Sequence, residues 1–167
     1  ASRSEEVRAI LTEAAQQDPR VCLHFRQERG HISRATNDAL ALADGELVAF
    51  LDHDDRLAPH ALHHMVASLS AQPDAILAYS DEDKLDTDGA RHDPHFKPRW
   101  NPELLLAQNY IGHLVVARAA AVRAAGGLQQ SDQCGAGAHQ SFDLPGHGGA
   151  VRSPAAARHR ERRVEVQ

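Results

Sequence analysis

The sequence predicts an α/β domain with a largely parallel sheet and helices on both faces. Three observations carry that expectation. Segments with apolar residues at helical spacing alternate with short runs of strand character. Two of those runs, Leu47–Leu51 and Ala75–Tyr79, are continuously apolar, as strands buried on both faces of a parallel sheet are. Each run ends abruptly in acid, Asp52-His53-Asp54-Asp55 after the first and Ser80-Asp81-Glu82-Asp83 after the second. Open α/β sheets bind ligands at the carboxyl ends of their strands, so these two endings are the first functional signal.

The elements follow in order. Ser4 is placed to cap a helix carrying Val7, Ile10, Leu11 and Ala14 on one side, and Asp18-Pro19 ends it. Val21, Leu23 and Phe25 alternate with Cys22, His24 and Arg26, a strand pattern. Gly30 breaks the chain, and Ser33 is placed to cap a helix to about Ala43 with Ala35, Ala39 and Leu42 on one side. Asp44-Gly45 is a turn before the run Leu47–Leu51. Pro59 suits the first turn of the next helix, whose apolar face is Leu62, Met65, Val66 and Leu69. Pro73-Asp74 turns the chain into the run Ala75–Tyr79, and Thr87-Asp88-Gly89 is a further turn. Residues 91–102 carry three prolines and read as an ordered loop, followed by a short helix near Glu103 to Gln108. Leu114 to Ala117 reads as a strand and Ala119 to Ala125 as a helix stopped by Gly126-Gly127.

From Ser131 onward neither period survives, and the only large apolar residues are Phe142, Leu144, Val151, Val164 and Val166. The expectation is a folded domain over 1–128 and an irregular, poorly ordered tail over 129–167, with a truncation or a reading-frame change near Gln129 to Ala138.

Composition narrows the partners. The 167 residues are 42% hydrophobic and 25% charged, with a net charge of −5, which argues against nucleic acid as a partner. No apolar run approaches the roughly 20 residues that span a bilayer. The first residues lack the apolar core of a secretory signal, and the two cysteines, Cys22 and Cys134, fit a reducing compartment. The expected location is therefore the cytoplasm.

Asp52-x-Asp54, on a turn after a buried strand, sets two carboxylates where they can converge on one hard divalent cation, Mn²⁺ or Mg²⁺. Such a cation would neutralise a diphosphate leaving group. Asp55 is placed either to join the ligands or to cap the following helix. Asp81, Glu82 and Asp83 are candidates for orienting an acceptor hydroxyl or extending the metal shell, or else form a solvated loop with a local ion pair. The histidines at 24, 31, 53, 60, 63, 64, 92, 95 and 113 lack zinc-site spacing, because His60 and His64 are four apart without the Glu of HExxH. His53, inside the acidic turn, and His113, opening a strand, are the two that can approach the site. Trp100, Asn109 and Tyr110 lie in the Pro-rich segment, where they either bind a sugar by stacking and hydrogen bonding or pin the loop to the core.

With these residues in view the chain resembles a known family. Arg29-Gly30-His31-Ile32-Ser33-Arg34-Ala35-Thr36-Asn37-Asp38-Ala39-Leu40, Ala43-Asp44-Gly45-Glu46 and Phe50-Leu51-Asp52-His53-Asp54-Asp55, with Leu57 and Pro59, are similar to the inverting family 2 glycosyltransferases of the GT-A fold. Tyr79-Ser80-Asp81-Glu82-Asp83-Lys84, Phe96-Lys97-Pro98, Asn109-Tyr110-Ile111 and Gly126-Gly127 resemble a bacterial subgroup that builds cell-surface polysaccharides, rhamnosyltransferase-like enzymes among them. The resemblance implies a nucleotide-sugar donor linked to UDP, dTDP or GDP, a glycan or lipid-linked acceptor, a divalent metal, and direct displacement at the anomeric carbon. It implies that Asp52 and Asp54 hold the metal and the donor, with Asn37 as a further donor-binding residue. It also implies a carboxylate as general base on the acceptor hydroxyl.

The resemblance departs in two places. The family begins with an apolar strand that precedes the matching residues, so the expected fold lacks its first strand. The family's base follows the glycine pair, and the nearest match is Gln140-Ser141-Phe142-Asp143-Leu144, where Ser141 stands at the base position and Asp143 is the remaining acid. Two alternatives stand beside this reading. One is an inactive nucleotide-binding remnant. The other is a phosphatase of the haloacid dehalogenase type, with Asp52 as nucleophile.

Overall fold

The structure is a computed structural model and describes residues 5–28, 30–129 and the backbone of 163–166. The α/β class holds. The described residues fall into two compact units, 5–44 with 125–129 and 45–124 with 163–166.

In the first unit, α1 (Glu5–Gln17) has Glu5 and Glu6 in its first turn, where acids complement the helix dipole. Val7, Ile10 and Leu11 share one side but stay partly exposed, and no residue of α1 is buried. The segment Val21 to Phe25 forms no strand, contrary to expectation. Its alternation is real, but Val21 and Phe25 are exposed, and Phe25 lies under the Arg8 guanidinium at 4.2 Å. Helix α2 (Ile32–Leu42) is capped by His31, whose ring accepts from the Ser33 N–H at 3.4 Å. Ser33, expected as the cap, is instead buried in the first turn and donates to the Gln129 carbonyl at 3.2 Å.

The second unit holds two sheets. Strands β1 (Leu47–Phe50), β3 (Leu77–Tyr79) and β6 (Val115–Arg118) form the first, in the order β1-β6-β3. Strand β6 runs antiparallel to both neighbours, so the expectation of a largely parallel sheet does not hold for these pairs. An apolar run reports burial on two faces and is silent about direction. Strand β1 is only half-buried, with Ala49 exposed, because it lies at the edge of this sheet.

Helix α3 (Ala61–Ser70) packs on β3, burying Met65 and Leu69. Leu62 and Val66, expected on the same apolar face, are exposed. The spacing of four from Ala61 through Met65 to Leu69 defines the stripe that packs. Met65, Leu69, Ala75, Ala78, Leu114 and Val116 make the core, with Leu47, Leu57 and Ala61 against its edge. Arg118, at the end of β6, donates from Nη2 to the Leu69 carbonyl at 3.1 Å and from Nε to the Ala75 carbonyl at 2.9 Å. It thereby closes the carboxyl end of α3, where a cation also complements the dipole. Helix α5 (Ala119–Ala124) follows β6 directly.

The second sheet has the order β2-β7-β4-β5, from β2 (Asp55–Leu57), β4 (Asp81–Leu85), β5 (Arg91–His95) and β7 (Arg163–Val166). Strand β7 pairs parallel with β4 and antiparallel with β2, and so lies within the segment expected to be irregular. Residues 130–162 lie outside the described residues, and so do Cys134, Ser141 and Asp143. Strand β4 runs antiparallel to β5 through a turn in which Asp86 Oδ1 accepts from the Asp88 and Ala90 N–H groups. Helix α4 (Pro102–Ala107) is capped by Asn101, whose side chain accepts from the Leu104 N–H at 2.9 Å. No helix among the described residues is long and apolar enough to cross a membrane.

Candidate functional site

The acidic turn leaves β1 at Phe50 and enters β2 at Asp55, closed by the Asp55 N–H donating to the Asp52 carbonyl at 3.2 Å. The Asp52 and Asp54 side chains are 38% and 56% exposed, which leaves carboxylate oxygens open to a ligand. Among the described residues neither has a tight ionic partner: Asp54 Oδ1 is 3.7 Å from Nδ1 of the exposed His53, and Asp52 Oδ2 is 3.7 Å from Nε2 of His113. These contacts are too long to be hydrogen bonds. Hard oxygen donors in the open suit Mg²⁺ or Mn²⁺, which keep several water and phosphate ligands. Among the described residues no three His, Cys, Asp or Glu side chains converge to cage a metal without such ligands.

Asp55 differs from its neighbours. Its carboxylate is 2% exposed, and Oδ2 lies 3.0 Å from Nδ1 of His113 without an aligned hydrogen bond. Burial raises its pKa above the ordinary value, against the opposing pull of His113. Asp55 therefore opens a strand and faces His113 rather than capping α3, whose N-cap is His60.

The second acidic cluster is a strand, not a loop, and all its carboxylates are engaged. Asp81 Oδ1 accepts from the Lys97 N–H at 2.8 Å. Glu82 Oε2 accepts from Lys97 Nζ and from the His113 N–H, both at 3.0 Å, while Oε1 is 3.2 Å from Nδ1 of His95. Asp83 is buried and takes a bidentate pair from Arg91, at 3.0 and 3.1 Å.

Lys97 is the centre of this network, and its side chain is 1% exposed. Besides Glu82, its Nζ donates to the carbonyls of Ile111 and His113. Three acceptors match the three N–H bonds of an ammonium group. Burial lowers the pKa of Lys97 more than Glu82 raises it. For Glu82 burial pushes upward, but Lys97, His95 and the His113 N–H together hold it below its ordinary value. Gly112 makes the close pass feasible: its φ is 51°, and a Cβ there would meet Glu82 Oε2 at 3.0 Å.

The Pro-rich loop is fastened from below. Tyr79 donates its hydroxyl to the Pro98 carbonyl at 2.8 Å, and the Tyr110 hydroxyl accepts from the Asn101 N–H at 2.9 Å. The two rings meet edge to face at 5.9 Å. Tyr110 thus pins the loop, while Trp100 is half-buried and Asn109 exposed.

Asn37 belongs to the other unit. Its amide forms a reciprocal pair with the main chain of Leu128, donating to the carbonyl at 2.9 Å and accepting from the N–H at 2.8 Å. A Cβ at Gly127, where φ is 78°, would collide with Asn37 Oδ1, so the turn and the amide are fitted to each other. The amide expected to bind donor is engaged with the chain itself.

The structure thus draws Asp52, Asp55, Glu82, Lys97 and His113 into one connected region. Sequence reasoning noted His113 but gave Lys97 no role. A signal was present: of 18 Lys and Arg residues only Lys84 and Lys97 are lysines. A compact ammonium group that must serve three oxygens in a dry site is one reason to depart from arginine.

Comparison with known proteins adds the following. The model of the family described as Glycosyl transferase family 2 matches residues 1–126. An "Uncharacterized protein y4gI" of Sinorhizobium fredii (strain NBRC 101917 / NGR234) is 48% identical over 129 residues, 77% of this chain and 14% of that protein. The "O-antigen biosynthesis protein RfbC" of Myxococcus xanthus is 39% identical over 130 residues, 78% of this chain and 10% of that protein. The chain therefore spans only a small part of the length of these relatives.

Proposed function

The chain belongs to glycosyl transferase family 2, and from that premise we propose that it forms the donor-binding part of an inverting, metal-dependent transferase. The membership decides against the phosphatase alternative. The observation that carries the proposal is the pair of exposed carboxylates, Asp52 and Asp54, on a turn at the carboxyl end of an apolar strand. The donor is a hexose or rhamnose on UDP, dTDP or GDP. The acceptor is a hydroxyl of a glycan or lipid-linked glycan in bacterial cell-surface polysaccharide. The name of the Myxococcus relative supports this class of product. A cytoplasmic site at the inner membrane face fits such an acceptor.

Asp52 and Asp54 would hold Mn²⁺ or Mg²⁺, which when bound neutralises charge on the diphosphate leaving group. In the reaction the acceptor oxygen bonds to the anomeric carbon from the face opposite the diphosphate, the carbon–oxygen bond to the diphosphate breaks, and the acceptor's proton passes to a carboxylate. Asp143 is the acid of this chain assigned to that proton, two residues after Ser141, which stands at the family's base position. Glu82 acts by holding the segment around His113, Asp81 by holding the main chain of Lys97, and Asp83 by holding Arg91, while Trp100 and Asn109 are the loop residues offered to the sugar.

The test is release of nucleoside diphosphate from a panel of UDP-, dTDP- and GDP-sugars with Mn²⁺ and a glycan acceptor. Metal-dependent release from one donor, lost in Asp52→Asn and Asp54→Asn, is expected. Release that survives both substitutions would contradict the proposal.

A further inference from the structure

We propose that His113 is a positioning residue for the donor turn, its ring held by Asp55 on one side and setting the Asp52 carboxylate on the other. The main chain of His113 is fixed first. Its N–H donates to Glu82 at 3.0 Å, its carbonyl accepts from the buried Lys97, and Gly112 lets the chain pass against Glu82. The ring then has little freedom. Its Nδ1 stands 3.0 Å from the sealed carboxylate of Asp55, and its Nε2 stands 3.7 Å from Asp52. Asp55 cannot turn to solvent, so it anchors the ring, and the ring is the element that meets Asp52. The second acidic cluster thereby reaches the first: Glu82 and Lys97 set His113, and His113 sets Asp52. This inference rests on the reading that Asp52 holds the donor.

The test separates the two edges of the ring. In His113→Asn the side-chain amide falls near the place of Nδ1 and retains the Asp55 contact. In His113→Gln it reaches the place of Nε2 and retains the Asp52 contact. Each variant of the 167-residue chain is melted, then titrated calorimetrically with UDP, dTDP and GDP in the presence of Mn²⁺. The expected result is that His113→Asn melts near the parent but binds the nucleotide about tenfold more weakly, the loss usual for a group that orients a ligand. His113→Gln recovers part of that affinity despite a lower melting temperature. Parent-like affinity in both variants overturns the inference and leaves the donor reading standing. Affinity that falls in both only in step with melting temperature also overturns it. A parent chain that binds no nucleotide with Mn²⁺ defeats the donor reading and this inference with it. Should His113→Asn not fold, ¹⁵N signals of the His113 ring are followed in the parent as Mg²⁺ and the bound nucleotide are added. A shift of those signals supports the inference, and binding without one overturns it.

Discussion

The ammonium group of Lys97 lies 3.0 Å from Oε2 of Glu82, with the lysine side chain 1% exposed and the glutamate 20% exposed. Two acids expected to serve a substrate thus flank a structural centre, and the residue that organises them is a lysine in a proline-rich loop. Removing one partner leaves the other buried charge without its counterpart. Lys97→Met strands Glu82 and two carbonyl oxygens, so a loss of about 3 kcal/mol is expected in urea unfolding. A loss below about 1 kcal/mol, the scale of a surface pair, would show that the network contributes little.

Glu82 gives the stability an acid limb. Its folded pKa lies below the ordinary 4.5, because Lys97, His95 and the His113 N–H outweigh the upward push of burial. A depressed carboxyl pKa contributes stability that is present above the unfolded value and lost as pH falls through the folded one. The parent is therefore expected to exceed Glu82→Gln in stability at neutral pH, with the difference shrinking below pH 4.5. Asp55 acts with the opposite sign, its raised pKa making the ionised form unfavourable on folding, but it is common to both proteins and cancels. Urea melts of the pair from neutral to acid pH check the slope, and a difference independent of pH would contradict it.

Gly112 couples backbone to network. Gly112→Ala places a side chain at φ 51° and 3.0 Å from a carboxylate that is held on three sides. A cost of about 2 kcal/mol or more is expected, combining left-handed strain with the close contact. The fluorescence of Trp100, the single tryptophan, gives a local reading of the same unit during unfolding. Parent-like stability would show that Glu82 yields.

Asp52 and Asp54 are expected to behave differently from all of these. Both are partly exposed and lack close ionic partners among the described residues, so Asp52→Asn and Asp54→Asn should change the stability of the ligand-free chain by no more than about 0.5 kcal/mol. Nucleoside diphosphate release should fall at least a hundredfold in each. A large loss of ligand-free stability would make these acids part of the scaffold.

Much of this was legible in sequence. The helices α1, α2, α3, α4 and α5 and the apolar strands β1, β3 and β6 carry their own periodicity or apolar runs. Strands β2, β4 and β5 do not, because Asp55-Arg56-Leu57, Asp81–Leu85 and Arg91–His95 are polar and become strands only by pairing. Val21 to Phe25 shows the converse, an alternation with no strand formed. In the candidate site, the Asp52-x-Asp54 pair was readable because two acids two residues apart after an apolar run form a local pattern. The roles of Lys97, Asp55 and His113 depend on contacts between residues far apart in sequence, which no local pattern encodes.

The proposed function requires a metal-dependent nucleotide site at Asp52 and Asp54. A thermal-unfolding scan of the chain with Mn²⁺ and UDP, dTDP or GDP, repeated with EDTA, tests it most directly, because a ligand that binds only the folded state raises its stability by mass action. An upshift with one nucleotide that EDTA abolishes, and that Asp52→Asn and Asp54→Asn lack, is the expected result. A cooperative transition indifferent to every nucleotide, or an upshift unchanged by EDTA, would mean that Asp52 and Asp54 hold no such site.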